Sequence, residues 1–154
     1  MDIRKAKQED VREIVRLLAD DELGSKRERN EDPLPETYLE AFKQIEAQRG
    51  NDILLGIEDK EIIGCLQLTI IPGLSRQGMK RAQIEGVRVK QNVRGKKVGE
   101  ALLKEAIAHA KLEGCGLVQL TTDKQRIDAH RFYERLGFLA SHEGMKLSLE
   151  GIKE

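Results

Sequence analysis

Apolar positions change their period several times along the chain. Ile3 to Ala6 reads as a short strand. Val11, Ile14, Val15, Leu17 and Leu18 then recur at helical spacing behind Glu9 and Asp10, acids suited to the positive end of a helix. The pattern breaks around Gly24 into a polar stretch containing Asp32-Pro33-Leu34-Pro35, after which Tyr38, Leu39, Phe42 and Ile45 share one helical face. Two strand-like runs, 53–57 and 62–71, flank the turn Glu58-Asp59-Lys60-Glu61, and Pro72-Gly73 closes the hairpin. A further strand is predicted over 82–89. Val98, Ala101, Leu102, Ala106 and Ile107 mark a third long helix, ended by Gly114 and Gly116. Leu117 to Thr122 reads as a strand. Asp128 is placed to cap a last helix with Ile127 and Phe132 as its hydrophobic staple, and 138–149 reads as a final pair of short strands. The predicted order is βααβββαβαβ(β), an α/β fold with a mixed sheet.

Length and composition narrow the class. A chain of 154 residues predicts a single domain spanning residues 1–154. With 39% hydrophobic residues and 14 glycines, it can bury an ordinary core. No apolar run approaches the ~18 residues of a membrane span, and the first residues lack an apolar signal core, so a cytoplasmic protein without membrane contact is expected. Cys65 and Cys115 are far apart and outside metal-ligand spacing, which argues against a disulfide framework or a metal site. Cys115 reads as small packing rather than as a nucleophile.

The net charge of zero conceals an asymmetry. Residues 1–61 carry 17 acids against 11 bases, whereas Lys80, Arg81, Arg88, Lys90, Arg94, Lys96 and Lys97 are interrupted by Glu85 alone. Such a block attracts a polyanion. Nucleic acid is not the expected one, because none of the few aromatic residues interleaves with the block to form a stacking platform.

The block sits on a junction with chemistry of its own. In Val87-Arg88-Val89-Lys90-Gln91-Asn92-Val93-Arg94-Gly95-Lys96-Lys97-Val98-Gly99-Glu100, a strand enters a basic, glycine-containing turn and then an amphipathic helix. The first turn of a helix leaves backbone amides unpaired and adds partial positive charge. Gly95 and Gly99 let a phosphate approach the backbone, and Arg94, Lys96 and Lys97 add full charges. The spacing fits neither a Walker A loop nor G-x-G-x-x-G.

These residues resemble the acetyl-CoA-binding motif of the GNAT superfamily of N-acetyltransferases, Q/R-x-x-G-x-G/A after a V-x-V strand. Arg94 takes the first place, Gly99 the last, and Lys97 stands at the middle glycine. A second segment, Asp128-Ala129-His130-Arg131-Phe132-Tyr133-Glu134-Arg135-Leu136-Gly137-Phe138, resembles the family's N-x-x-A-x-x-F-Y-E-K-L-G-F motif, with Arg126 where the family has Asn. Ile3-Arg4-x-Ala6 followed by Asp10 and Ile14 is similar to the family's start.

The resemblance implies a mixed sheet splayed between its fourth and fifth strands to admit the pantetheine arm of acetyl-CoA. Val87, Arg88 and Val89 would pair with pantetheine, and Arg94, Gly95, Lys96, Lys97, Val98, Gly99 and Glu100 would hold the pyrophosphate. Tyr133 matches the general acid that protonates the departing thiolate, a task open to a phenol, whose reference pKa is near ~10. Glu85 lies where several members place a catalytic carboxylate, as base toward the incoming ammonium. Of the three histidines, His142 is the one placed to line an acceptor site. The implied reaction is direct acetyl transfer to a primary amine, with no acyl-enzyme and no metal. A non-catalytic acyl-CoA sensor is the alternative, and a homodimer is left open. Residues 20–36, with seven acids and three bases, favour a cationic small molecule or a peptide amine as acceptor.

Overall fold

In the computed structural model, which describes residues 1–150, five strands form one sheet whose spatial order follows the chain. β1 (Asp2–Lys5), β2 (Asn51–Glu58), β3 (Glu61–Ile71) and β4 (Arg81–Val89) pair antiparallel, and β5 (Leu117–Leu120) joins β4 in parallel. This is the expected open, mixed α/β sheet. Asp59 and Lys60 both take positive φ, 50° and 65°, giving the β2–β3 hairpin a turn that matches strand twist. Two compact units are present, Met1–Leu120 and one opening at Thr121, and each is described by itself below. Among the described residues no helix is long and apolar enough to cross a membrane.

The helices of the first unit cover both sheet faces. α1 (Val11–Leu18) buries Ile14 and Leu17 against Leu55 and Cys65, and its Val11 and Val15 meet Phe42 of α3 (Glu36–Ala47). Asp10 precedes α1, is nearly buried, and accepts two hydrogen bonds from Arg4 (2.8 and 3.0 Å) and one from the Lys7 amide (2.7 Å). The Arg4 hydrogen bond holds the Asp10 carboxyl below its usual range despite its burial.

The opposite face belongs to a fifteen-residue helix. It is numbered α5 (Val98–Leu112), after α2 (Glu22–Arg27) and the single turn α4 (Ser75–Gly78). Leu102, Leu103 and Ala106 of α5 are fully buried. Gly56 and Gly64 are register partners beneath its start. A Cβ on Gly64 would lie 2.9 Å from Leu102 Cδ1, 3.0 Å from Val98 Cγ1 and 3.2 Å from the Arg88 carbonyl. Glycine is what lets α5 sit this close to the sheet.

Three expectations are corrected. The polar stretch around Gly24 contains α2, because the Asp21 carboxylate caps the Gly24 amide at 2.6 Å. The last helix, α6 (Ile127–Arg135), has Arg126 at its N-cap position with no side-chain cap, so Asp128 lies in its first turn. Ile127 is 63% exposed and staples nothing. The final strand pair does not form among the described residues. The alternating Met145, Leu147 and Leu149 find no ladder partner and stay exposed.

Candidate functional site

The two strands that frame the site part company early. The β4–β5 ladder runs from Arg81 opposite Leu117 to Ile84 opposite Leu120, where β5 ends. From Glu85 to Val89, β4 continues with β3 alone, leaving an edge open on the other side. The β3–β4 register shifts between Cys65 and Gln67, opposite Gly86, whose φ of 59° accommodates the bulge. The bulge returns Arg88 to register with Cys65 on the face that carries Glu85. The Cys65 thiol lies 3.6 Å from the Gly86 carbonyl, and burial pushes its pKa up to about 12.

β4 feeds directly into the basic turn. After a short 3-10 turn (Gln91–Val93), Gly95 takes φ of 86° and Lys97 φ of 64° before α5 begins. The first intrahelical bond of this junction runs from the Ala101 amide to the Lys97 carbonyl at 3.1 Å. The amides of Val98 and Gly99 therefore precede the ladder, and no side chain caps the helix start. Nothing lies within 4 Å of where a Gly95 Cβ would stand. Val98 is buried, whereas Arg94, Gly95, Lys96 and Lys97 are exposed and Gly99 and Glu100 half-buried. The basic block is partly engaged by the protein: Lys80 donates to the Glu113 carbonyl, Lys90 pairs with Glu61, and Arg94 Nε donates to the Val89 carbonyl. Lys96 and Lys97 remain unpaired beside the open amides among the described residues, a donor set suited to a phosphate or diphosphate.

Glu85 is exposed on β4, directly opposite Gln67 of β3, and has no ion-pair partner among the described residues. Leu18 at the end of α1 comes within 3.6 Å of a Cβ placed on Gly86. This brings the α1–α2 corner beside the bulge, where Gln91 also reaches the Asp20 carbonyl (3.5 Å). Most acids of that segment find partners within the chain. Asp21 caps α2, Glu22 pairs with Lys26, Glu28 accepts from the Tyr38 hydroxyl, Glu31 pairs with Arg29 and Asp32 with Arg12. Lys26 and Arg29 belong to the segment itself, so these pairs leave its surplus of acids over bases nearly intact, and Asp20 and Glu36 make no ion pair among the described residues. These pairings, and the placement of Gln67 opposite Glu85, are not legible in the sequence, although the polar alternation Gln67, Thr69 within an apolar strand is a visible signal.

In the second unit, Tyr133 lies in the last turn of α6, half-buried between two rings. Its centroid is 5.2 Å from that of Phe132 and 5.9 Å, edge-on, from that of Phe138. Its carbonyl accepts from the Phe138 amide while the Gly137 amide bonds to the Glu134 carbonyl, a Schellman end that fixes the aromatic triplet. His142, bonded to Ser141 Oγ at 2.7 Å, sits on an exposed segment rather than in a hairpin. His109 is on α5, with Glu113 as a neighbour. Among the described residues no group of three or more His, Cys, Asp or Glu could hold a metal ion.

A β4 edge left unpaired beyond Ile84, a bulge within it and a helix start with open amides directly after it correspond to one known pattern. The profile of the Acetyltransferase (GNAT) family matches residues 11–138. The chain belongs to the GNAT acetyltransferase family. It is 34% identical over 88 residues to an aminoalkylphosphonate N-acetyltransferase from Salmonella typhimurium, covering 57% of this chain and 56% of that protein. The same identity and length relate it to a glucosamine 6-phosphate N-acetyltransferase from Trypanosoma brucei brucei, with 57% and 58% covered. The match thus spans little more than half the length of these curated relatives. A crystal structure described as a transcriptional regulator from Bacillus halodurans C-125 superposes with a TM-score of 0.94 at 51% identity, covering 96% of this GNAT chain and 99% of the other.

Proposed function

We propose that this GNAT-family chain is an acetyl-CoA-dependent N-acetyltransferase that acts on a primary amine, as a single cytoplasmic domain. The observation that carries the reading is the helix start of α5. The amides of Val98 and Gly99, the open space at Gly95 and the unpaired Lys96 and Lys97 fit a diphosphate, next to a β4 edge free to pair with an extended arm. On this reading Val87, Arg88 and Val89 hold the pantetheine and the segment from Arg94 to Glu100 the pyrophosphate. Acetyl-CoA supplies the activated thioester. Glu85 takes a proton from the ammonium so that the free amine can attack, and Tyr133 gives its phenolic proton to the departing sulfur. Direct transfer is supported by the two thiols. Burial raises the pKa of both Cys65 and Cys115, which leaves each a poor nucleophile at neutral pH. Both curated relatives are named for amine acceptors, which supports the same class here. A cationic small molecule or peptide amine draws its support from the acidic surplus of residues 20–36, Asp20 and Glu36 included.

A second reading is an acyl-CoA sensor without turnover, favoured by the regulator description of the structure at 51% identity. Gly99→Glu tests the binding claim common to both. It places a side chain and a negative charge against the helix dipole where the diphosphate would lie. Calorimetry should show acetyl-CoA affinity lost with the fold retained, and equal affinity in the variant refutes the assignment. Release of CoA thiol with any amine then separates enzyme from sensor.

A further inference from the structure

The sheet face that bears Glu85 also bears a row of hydrogen-bonding side chains. Asn51, Thr69, Gln83 and Gln119 are successive register partners across β2, β3, β4 and β5, and Gln67 stands opposite Glu85 in the next row. On the same face of β2, Ile53 and Leu55 are apolar and packed beneath α1 and α3. The polar row begins beyond that cover, and each of its members is half-buried.

The amides fix one another's orientation. Asn51 Nδ2 donates to Gln48 Oε1 (3.1 Å), and Asn51 Oδ1 accepts from Gln67 Nε2 (2.9 Å) and Thr69 Oγ1 (3.3 Å). Gln119 Nε2 donates to Gln83 Oε1 (2.8 Å). Two groups are thereby left over beside Glu85: the Gln67 oxygen, an acceptor, and the Gln83 nitrogen, a donor. Half-buried polar groups sacrifice packing that apolar residues would supply, so a preoriented set of them is suited to a polar ligand.

The leftover groups specify which ligand. An ammonium has three donors and no acceptor, so the Glu85 carboxylate and the Gln67 oxygen can take two of its hydrogens. The Gln83 nitrogen requires an acceptor on the same molecule. Successive same-face residues on a strand stand about 7 Å apart, a gap spanned by two hydrogen bonds of about 2.8 Å and a ligand whose two polar groups sit on adjacent carbons. We infer that the acceptor is an amino alcohol, its ammonium held between Glu85 and Gln67 and its neighbouring hydroxyl read by Gln83, which Gln119 holds in place. This rests on the acetyltransferase reading above and makes Gln83 a specificity-determining residue.

The test compares serinol with isopropylamine, which share a carbon skeleton and differ only in hydroxyls. Their difference in basicity cancels when variants are compared with the wild type. The wild type should prefer serinol in kcat/KM. Gln83→Leu should lower kcat/KM for serinol about tenfold, with isopropylamine unchanged within about twofold and acetyl-CoA affinity intact. That is the scale of one lost neutral hydrogen bond. Gln119→Leu, which keeps the Gln83 donor but frees it to rotate, should give a smaller loss in the same direction and serves if Gln83→Leu does not fold. Calorimetry of both amines with the CoA-saturated protein supplies a readout that needs no turnover. If no amine yields CoA thiol yet serinol binds in preference and Gln83→Leu removes that preference, the transferase reading fails and this one stands. Equal handling of the two amines by the wild type, or a ratio that neither substitution moves, overturns the amino-alcohol assignment even where turnover is robust.

Discussion

Gly64→Ala should damage cofactor binding from a position that no ligand would touch. The added methyl would stand 2.9 Å from Leu102 Cδ1 and 3.0 Å from Val98 Cγ1, closer than carbon atoms pack. Leu102 is fully buried and Val98 nearly so, which leaves neither side chain room to turn away. Overpacking of this kind costs about 1–3 kcal/mol, against about 0.4–1 kcal/mol gained because alanine loses less chain entropy than glycine. The net expectation is about 1–2 kcal/mol of destabilisation. For a chain of this size that lowers Tm by roughly 2–8 °C. Because Val98 opens α5, relief of the clash lifts the helix start and its amides off the sheet, so acetyl-CoA affinity should fall together with Tm. Differential scanning calorimetry and titration calorimetry read the two effects. Adding Val98→Ala creates space for the methyl, and the double variant should be more stable than the sum of the single effects. Unchanged Tm and unchanged affinity in Gly64→Ala would refute the argument that these glycines seat the site.

Tyr133→Phe keeps the ring packed against Phe132 and Phe138 but removes its proton, so kcat should fall by about 10² or more with acetyl-CoA binding intact; wild-type turnover at saturation excludes the general-acid role. Glu85→Gln should lower turnover most at neutral pH and recover toward high pH, where free amine is abundant, whereas a deficit flat across pH rules out the base. Asp10→Asn weakens the bonds to Arg4 and should cost about 1–3 kcal/mol at neutral pH. The folded pKa of Asp10 is depressed, so its contribution is full above the unfolded value and is lost as pH falls through the folded one. The gap between urea melts of wild type and variant should therefore begin to narrow as pH falls below about 4 and go on narrowing in stronger acid, and a gap that does not change with pH there contradicts the pairing.

Most elements were legible in the sequence because their signals are local. The heptad-like apolar spacing of 11–18 and 98–107, the Asp59-Lys60 turn and the glycine stop after α5 each depend on residues a few positions apart. The basic turn after β4 is local in the same sense. Strand, turn and helix start are contiguous, so the open helix start and its basic turn could be read before any folding was known. The aromatic run around Tyr133 likewise lies within three turns of one helix and its Schellman end.

What the sequence could not decide depends on partners distant in the chain. Whether 138–149 becomes a pair of strands is a question of who accepts its backbone hydrogen bonds, and alternation carries no information about that. The family resemblance implied that the fourth and fifth strands part, but only the tertiary structure put the parting after Ile84, since a parallel ladder ends where its shorter strand ends. The acids of the α1–α3 segment attract cations in composition, but which of them are already held, by Arg12, Arg29, Lys26 and Tyr38, and which stay open is decided by folding. Gln67, Gln83 and Gln119 look like unrelated polar interruptions of three strands. Register alone sets Gln67 opposite Glu85 and Gln119 opposite Gln83, and register is fixed by a hydrophobic pattern and a bulge summed over the whole sheet rather than by any one segment.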